Sequence, residues 1–271
     1  MNRVFGILIF VATLAFSSCS TYNHVLKMRD VEYKYEEAKA LYLKGDYNKA
    51  SQLIETLVAM FKGSDKAEES MYLLAMCYYE SHDYVTAAQC FKACYNNYPR
   101  GIYTELARFN AGKSLFKNIT EPELDQTDTY TAIEELQLFM EYYPTSEYVQ
   151  EAQNMMFEMH DILVMKDYLS AKLYYDLGDY MAYAGNNYKA CIITAQNALK
   201  DYPYTKLRED ISMLILRARY HMAVNSVLEL QNERYRDTVD EFYAFKAEFP
   251  ESKYMAEAEK YYKKSLEKIE K

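Results

Sequence analysis

Apolar and polar positions alternate with helical spacing along most of this chain. In "MYLLAMCYYESHDYVTAAQCF" (71–91), Met71, Leu74, Ala75 and Tyr78 recur at intervals of three and four. That is the stripe a helix needs to bury one face. After Ser81-His82-Asp83, Ala87 and Phe91 begin a second stripe. Two kinds of break separate such segments. One is a short polar turn, Gly-Asp-Tyr at 45–47 and again at 178–180. The other is an aromatic residue followed by proline, in "NYPRGIYTELA", "YYPTSEYVQEA", "DYPYTKLREDI" and "EFPESKYMAEA". The pattern therefore predicts helices in pairs, each pair ending at an aromatic–proline seam.

Superimposing the prolines gives the register. With Pro99 on Pro144, Ala87 meets Ala132, Phe91 meets Leu136 and Tyr98 meets Tyr143. Pro250 brings Thr238, Phe242 and Phe249 to the same slots, and Pro203 brings Cys191 and Tyr202, with Ala190 alongside. The first copy has Ala50 and Ile54, with Lys62 in place of proline. Small residues at Ala75 and Ala87 let two helices cross closely, and Tyr78 and Phe91 fill the space around the crossing. Proline disrupts a helix interior but is accepted in a first turn. Each proline is thus expected to open the next pair, with the following Ser or Thr capping it. The pattern resembles the tetratricopeptide repeat. Proline intervals are 37 residues counted from Lys62, then 45, 59 and 47, against a regular unit of about 34, so insertions are expected. One is the polar loop 118–128, a second is an additional helix near 146–165, and a third is an extended turn at 178–187. The expected fold is all-α: a tetratricopeptide-repeat α-solenoid of about five helix pairs, the additional helix and a charged C-terminal capping helix, in one domain over 31–271.

Composition supports helix, with 7 Gly and 5 Pro in 271 residues. The 30 Tyr suit packing edges that are never fully closed, because the ring is apolar and the hydroxyl polar. With 31 basic against 40 acidic residues and no basic run, nucleic acid is not an expected partner. The N-terminus "MNRVFGILIFVATLAFSSCS" has Arg3, an apolar run from Val4 to Phe16, and small residues leading to Cys19. This is too short to span a bilayer and has the form of a secretory signal. It resembles a bacterial lipoprotein cleavage box, with Phe16 where Leu is commoner. That resemblance implies removal of residues 1–18, a diacylglycerol thioether on Cys19, and a lipidated tether over 19–30. Ser20 in place of Asp implies outer-membrane delivery, with the protein facing the periplasm.

No catalytic constellation stands out. "AGKS" (111–114) resembles the end of a phosphate loop, but Ala107 occupies the first Gly position and the segment is helical, so Gly112 is assigned to the helix-crossing slot of Ala75. Cys90 and Cys94 lie four apart with Cys77 on the neighbouring helix; they are read as small core residues and not as metal ligands, with a Cys77–Cys90 disulfide as the lesser alternative. His24, His82, His160 and His221 are scattered. No cofactor and no metal are expected. Two triplets at equal register are more informative: Tyr35, Lys39 and Tyr42, then Tyr72, Met76 and Tyr79. On the repeat template they line the concave side, where an aromatic groove receives an extended peptide.

Taken together, the cleavage box, the five repeats, "YYPTSEYVQEA", "HDILVMKDYLSAKLYYDLG", "LKDYPYTKLREDI" and "RYRDTVDEFYAFKAEFPESKYMAEAEKYY" resemble the BamD (YfiO) family of outer-membrane β-barrel assembly lipoproteins. The resemblance covers nearly all of the mature chain. It implies a non-enzymatic scaffold, lipid-anchored at the periplasmic face of the outer membrane. It further implies binding to the barrel-forming assembly protein BamA through the fourth and fifth repeats, and reception of unfolded outer-membrane proteins by the N-terminal repeats. The family has a basic residue before Asp-Tyr-Pro near the BamA surface, and Lys200 holds that place, without the planar fork of arginine. Two other readings share the repeats. Tol–Pal coordinators begin with a coiled coil, and residues 20–45 show no sustained heptad. Glycan-uptake lipoproteins are longer and commonly use Trp, of which this chain has none.

Overall fold

The structure, a computed structural model, describes residues 22–179 and 187–269. Helix α1 (Val31–Leu43) pairs with α2 (Tyr47–Val58), and α3 (Ala67–Glu80) with α4 (Tyr84–Asn97). Then come α5 (Thr104–Lys117) with α6 (Thr127–Tyr142), and α7 (Val149–Leu177) with α8 (Asn187–Asp201). Finally α9 (Arg208–Val224) pairs with α10 (Leu228–Glu248), and α11 (Met255–Ile269) closes the chain. The described residues are helices and connections without a strand, so the expected all-α repeat fold is observed.

The second helix of every pair buries three rows at fixed distances from the seam aromatic. The first row is Ala50, Ala87, Ala132, Cys191 and Thr238, all fully buried. Four residues on come Ile54, Phe91, Leu136, Ala195 and Phe242, and three further Leu57, Cys94, Phe139, Ala198 and Phe245. Each large member of these rows is worth about 1.5–3 kcal/mol of apolar transfer, so the register is set by burial as well as by proline. On the facing helices the contact is closer. A Cβ on Gly112 would lie 2.5 Å from Leu136 Cδ2, so any larger residue there would have to displace the fully buried Leu136 side chain.

Five seams share one geometry. Phe61, Tyr98, Tyr143, Tyr202 and Phe249 each lie six residues ahead of the next helix's first residue. Each donates its N–H to the carbonyl four residues back, for example Tyr98 to Cys94 (3.0 Å) and Phe249 to Phe245 (2.8 Å). Each also accepts from the amide three residues ahead: Ser64, Gly101, Ser146, Thr205 and Ser252. The prolines therefore sit five residues before the new helix and outside its first turn. The hydroxyls differ from expectation too. Ser64, Ser146, Thr205 and Ser252 accept from the amide two residues on (Lys66, Tyr148, Leu207, Tyr254) at 2.9–3.3 Å. They hold the residue just before the helix and leave the amides inside its first turn untouched.

The second seam has no hydroxyl, because Gly101 stands there. Glu68 of α3 supplies the acceptor instead: its carboxylate takes the N–H of Tyr103 (2.7 Å) and of Ile102 (3.1 Å). A side chain on Gly101 would occupy the carboxylate's position.

The described residues divide into two compact units, 22–119 with 127–155, and 120–126 with 156–179 and 187–269. The additional helix expected near 146–165 is not separate. It is the first half of the 29-residue α7, which meets no Gly or Pro between Val149 and Leu177 and so has nothing to break it. Ala38, Ala75 and Ala171 are fully buried, each seven residues ahead of a left-handed residue, Gly45 (φ 83°), His82 (φ 64°) and Gly178 (φ 51°). From helix start to this alanine is 8 residues in α3 but 22 in α7, so the insertion is about four helical turns. Most of the extended fourth turn, 180–186, lies outside the described residues.

Part of the stretch 19–30, expected as a tether, is described. Residues 22–27 are helical. Val25 is buried with Ala38, Ala50 and Leu53, and the buried Lys34 donates its ammonium to the Leu26 carbonyl (3.0 Å).

The second seam makes a specific test. Glu68→Ala should cost about 1–2 kcal/mol by freeing two amides, and less than about 0.5 kcal/mol when Gly101→Ser restores the hydroxyl. Urea titration of the four proteins reads this coupling. Equal costs in both backgrounds would remove the exchange of acceptors.

Candidate functional site

The two triplets occupy one register of the first helices, and a third copy, Phe109, Lys113 and Phe116, follows on α5. The leading ring of each is covered by the residue before the next helix. Tyr103 stacks on Tyr72 (4.8 Å between centroids, 18° between planes) and Tyr148 on Phe109 (4.7 Å, 25°), while Lys66 lies 5.6 Å from the Tyr35 ring. The second member is a cation in the outer copies. Lys39 Nζ sits 5.2 Å from the Tyr35 ring and Lys113 Nζ 5.4 Å from Phe109. Both cations also pair with an acid two residues into the next first helix, Lys39 with Glu69 at 3.1 Å and Lys113 with Glu151 at 2.8 Å.

The middle copy departs from this ladder. Met76 replaces the cation and Leu106 the acid. Tyr72, Met76, Tyr79, Tyr103 and Asn110 are each half-buried there. Asn110 donates from Nδ2 to the Tyr72 hydroxyl (3.0 Å) and lies 3.9 Å from the Met76 sulfur. Burial pushes the Tyr72 phenol up to about 12, so it remains a neutral donor at any ordinary pH. The arrangement offers flat apolar faces, a hydroxyl proton and an amide, the groups an extended peptide backbone needs.

Not every residue singled out from the sequence lies on this surface. Tyr35 is fully buried against Phe61 (5.1 Å) and its hydroxyl has no hydrogen-bond partner, so its ring is packing and presents no binding face. Lys39 is held in its ion pair. Tyr42 is half-buried edge-on to Tyr47 (5.4 Å), as Tyr79 is to Tyr84 (5.5 Å). Tyr103 and Asn110 were missed from sequence. The signal that finds them is positional, because they occupy the covering slot and the residue after the ring slot one repeat on. Cys77, Cys90, Cys94 and Cys191 are all free thiols. Burial pushes Cys77, Cys94 and Cys191 up to about 12 and Cys90 to about 11, as suits packing and not ligation. Cys19 lies outside the described residues.

The second unit repeats the ladder with stronger chemistry. Arg217 of α9 meets Glu257 of α11 through two parallel bonds, Nε to Oε1 at 2.8 Å and Nη2 to Oε2 at 2.6 Å, and Tyr261 adds a hydroxyl to Oε1 (3.0 Å). Lys200 is exposed in the last turn of α8. Beyond it opens a groove of about 490 Å³ lined by Phe157, His160, Val164, Tyr202, Pro203 and Tyr204, with Lys206 paired to Asp161 (3.0 Å) at its margin.

The Arg217 guanidinium holds the Glu257 carboxyl below its ordinary value. Above that ordinary value both folded and unfolded chains are ionised and the pair's contribution is complete. As pH falls through it the unfolded chain takes up the proton first, and the contribution is lost until the folded carboxyl also protonates. Between about pH 5 and 3 the wild type should therefore lose stability more steeply than Glu257→Gln. Urea midpoints across that range check it, and parallel pH profiles would count against it.

No described helix is long and apolar enough to cross a membrane. Three curated relatives carry the description outer membrane protein assembly factor BamD. The protein from Neisseria meningitidis serogroup A is 26% identical over 261 residues, covering 90% of this chain and 91% of the relative. That from serogroup B is 27% identical over 223 residues (76% and 80%), and that from Neisseria gonorrhoeae 27% over 200 residues (68% and 74%). A family described as outer membrane lipoprotein, YfiO, matches residues 28–227, which hold the first four helix pairs and α9. This chain belongs to the YfiO family of outer-membrane lipoproteins, whose curated relatives act as assembly factors for outer-membrane proteins.

Proposed function

We propose that the protein is a non-enzymatic scaffold of the outer-membrane β-barrel assembly machinery. It is anchored at the periplasmic face through a lipid on Cys19. It holds a BamA-like barrel protein and receives unfolded outer-membrane proteins for insertion. The family match over most of the chain carries this reading. The half-buried cluster of Tyr72, Met76, Tyr79, Tyr103 and Asn110 is the receiver for an extended segment of the substrate. Where the ion-pair ladder is interrupted, apolar faces and hydrogen-bonding groups are left without a charged partner, which suits a backbone and aromatic side chains. The groove beside Lys200 is the docking surface for the BamA-like partner, with Phe157, Tyr202 and Tyr204 as its anchors, since rings in a recess carry most interface energy.

Three experiments test this. Cys19→Ala should abolish incorporation of labelled palmitate in cells, and unchanged labelling removes the anchor. Tyr72→Ala with Asn110→Ala should weaken binding of a C-terminal barrel-strand peptide about 30-fold, the effect of losing about 2 kcal/mol at a central contact. Lys200→Ala should leave that peptide's affinity unchanged while reducing recovery of the BamA-like protein in a detergent pull-down. Recovery of Tol–Pal components without it would overturn the assignment.

A further inference from the structure

The start of the described chain fixes how the first repeat meets whatever holds Cys19. The Tyr22 hydroxyl reaches the Gln52 Oε1 (2.8 Å) and the Lys49 carbonyl (3.2 Å) of α2, and Lys49 Nζ lies 6.0 Å from the Tyr22 ring. Val25 is buried three residues later. Tyr22, Val25, Glu37, Leu41, Lys44, Asp46 and Lys49 surround one hollow of about 310 Å³, which places Tyr22 beside the α1–α2 turn. That turn presents Leu43, 83% exposed, with Lys44 next to it. Lys49 is paired with Asp46 (3.5 Å), whereas the Lys44 ammonium makes no ion pair with a described residue.

Only Ser20 and Thr21 separate Cys19 from Tyr22. Three residue steps reach at most about 11 Å. With acyl chains on Cys19, Tyr22 is therefore held close to the leaflet, and the α1–α2 turn whose Lys44 lines the same hollow is held near it. We infer that this turn is a membrane-contact surface, with Leu43 entering the acyl–headgroup boundary and Lys44 meeting lipid phosphates. An apolar residue beside a lysine is the composition that settles at a bilayer interface. An exposed leucine alone would carry no such meaning; its position beside the docked exit of a two-residue tether does. The partner is the phospholipid leaflet that holds the anchor.

This inference rests on the anchor reading, and the experiment separates the two. The chain contains no Trp, so Leu43→Trp and Ile102→Trp each carry a single reporter. Both positions are more than 80% exposed. Ile102 lies in a seam, at the opposite end of the helices of the first unit from the α1–α2 turn. Each full-length variant, processed from its own leader, is placed in vesicles of phosphatidylethanolamine and phosphatidylglycerol containing brominated phospholipid. The Leu43→Trp emission should fall about twofold, as for a side chain reaching about 5–10 Å into the boundary, while Ile102→Trp emission stays unchanged. The acylated N-terminus is weighed first. An unacylated chain overturns both the anchor and this contact. Acylated, vesicle-bound protein in which the two variants are quenched equally overturns the contact alone.

Discussion

Everything in this fold depends on how one backbone amide is satisfied at each seam. The chain leaves a helix at an aromatic residue, turns, and must present the amide just before the next helix to an acceptor. A hydroxyl two residues back supplies it in four seams and Glu68 in the fifth. An amide buried without a partner costs about 1–3 kcal/mol, so the requirement leaves the seam little freedom. The interval from aromatic to helix is six residues every time. Variation in repeat length is displaced elsewhere, into the loop at 118–126 and the extra turns of α7.

That division explains what could be read from the sequence. Proline after an aromatic marks a fixed-length seam, so aligning on it brings the Ala87 and Phe91 rows into register wherever the seam recurs, including Lys62, where proline is missing. The same alignment could not say that the residues before "DYLSAKLYYDLG" continue as one helix. Helical periodicity is silent about whether two helical stretches are joined, and a break needs a Gly or Pro that 149–177 does not contain. Nor could it distinguish Tyr35 from Tyr72. Both hold the same slot, but Tyr35 meets Phe61 and two lysines whereas Tyr72 meets Tyr103 and Asn110. Exposure of a ring is decided by its neighbours one repeat away. The docked segment 22–27 was missed because six residues are too few to show a period, although Val25 is buried with the first repeat's core.

The ion-pair ladder was legible in principle. A cation nine residues into one first helix and an acid two residues into the next recur in Lys113–Glu151 and Arg217–Glu257. These pairs are partly exposed, and their net contribution to stability is small. They serve better as a register: each excludes its stretch of helix surface from other contacts. Removing one pair changes what the surface can accept more than it changes stability. That is the situation at Met76 and Leu106.

The same copy that loses the ion pair also loses the seam hydroxyl, and the two departures meet at one residue. Tyr103 donates its amide to Glu68 and lays its ring on Tyr72. With a hydroxyl at 101, the Tyr103 amide would be held by its own seam. With glycine there, it is held by α3, the helix that carries Tyr72 and Met76. The carboxylate also accepts from Ile102, so the seam is tied at two points, and charge-assisted bonds of this kind are stronger than those from a neutral hydroxyl. The aromatic pair at the centre of the candidate receiver is thus fixed from beneath by a backbone contact that no other seam makes. Two substitutions that look like lapses in a repeat, Gly101 and Met76, together build a surface whose rings are oriented and whose polar groups have no ionic partner.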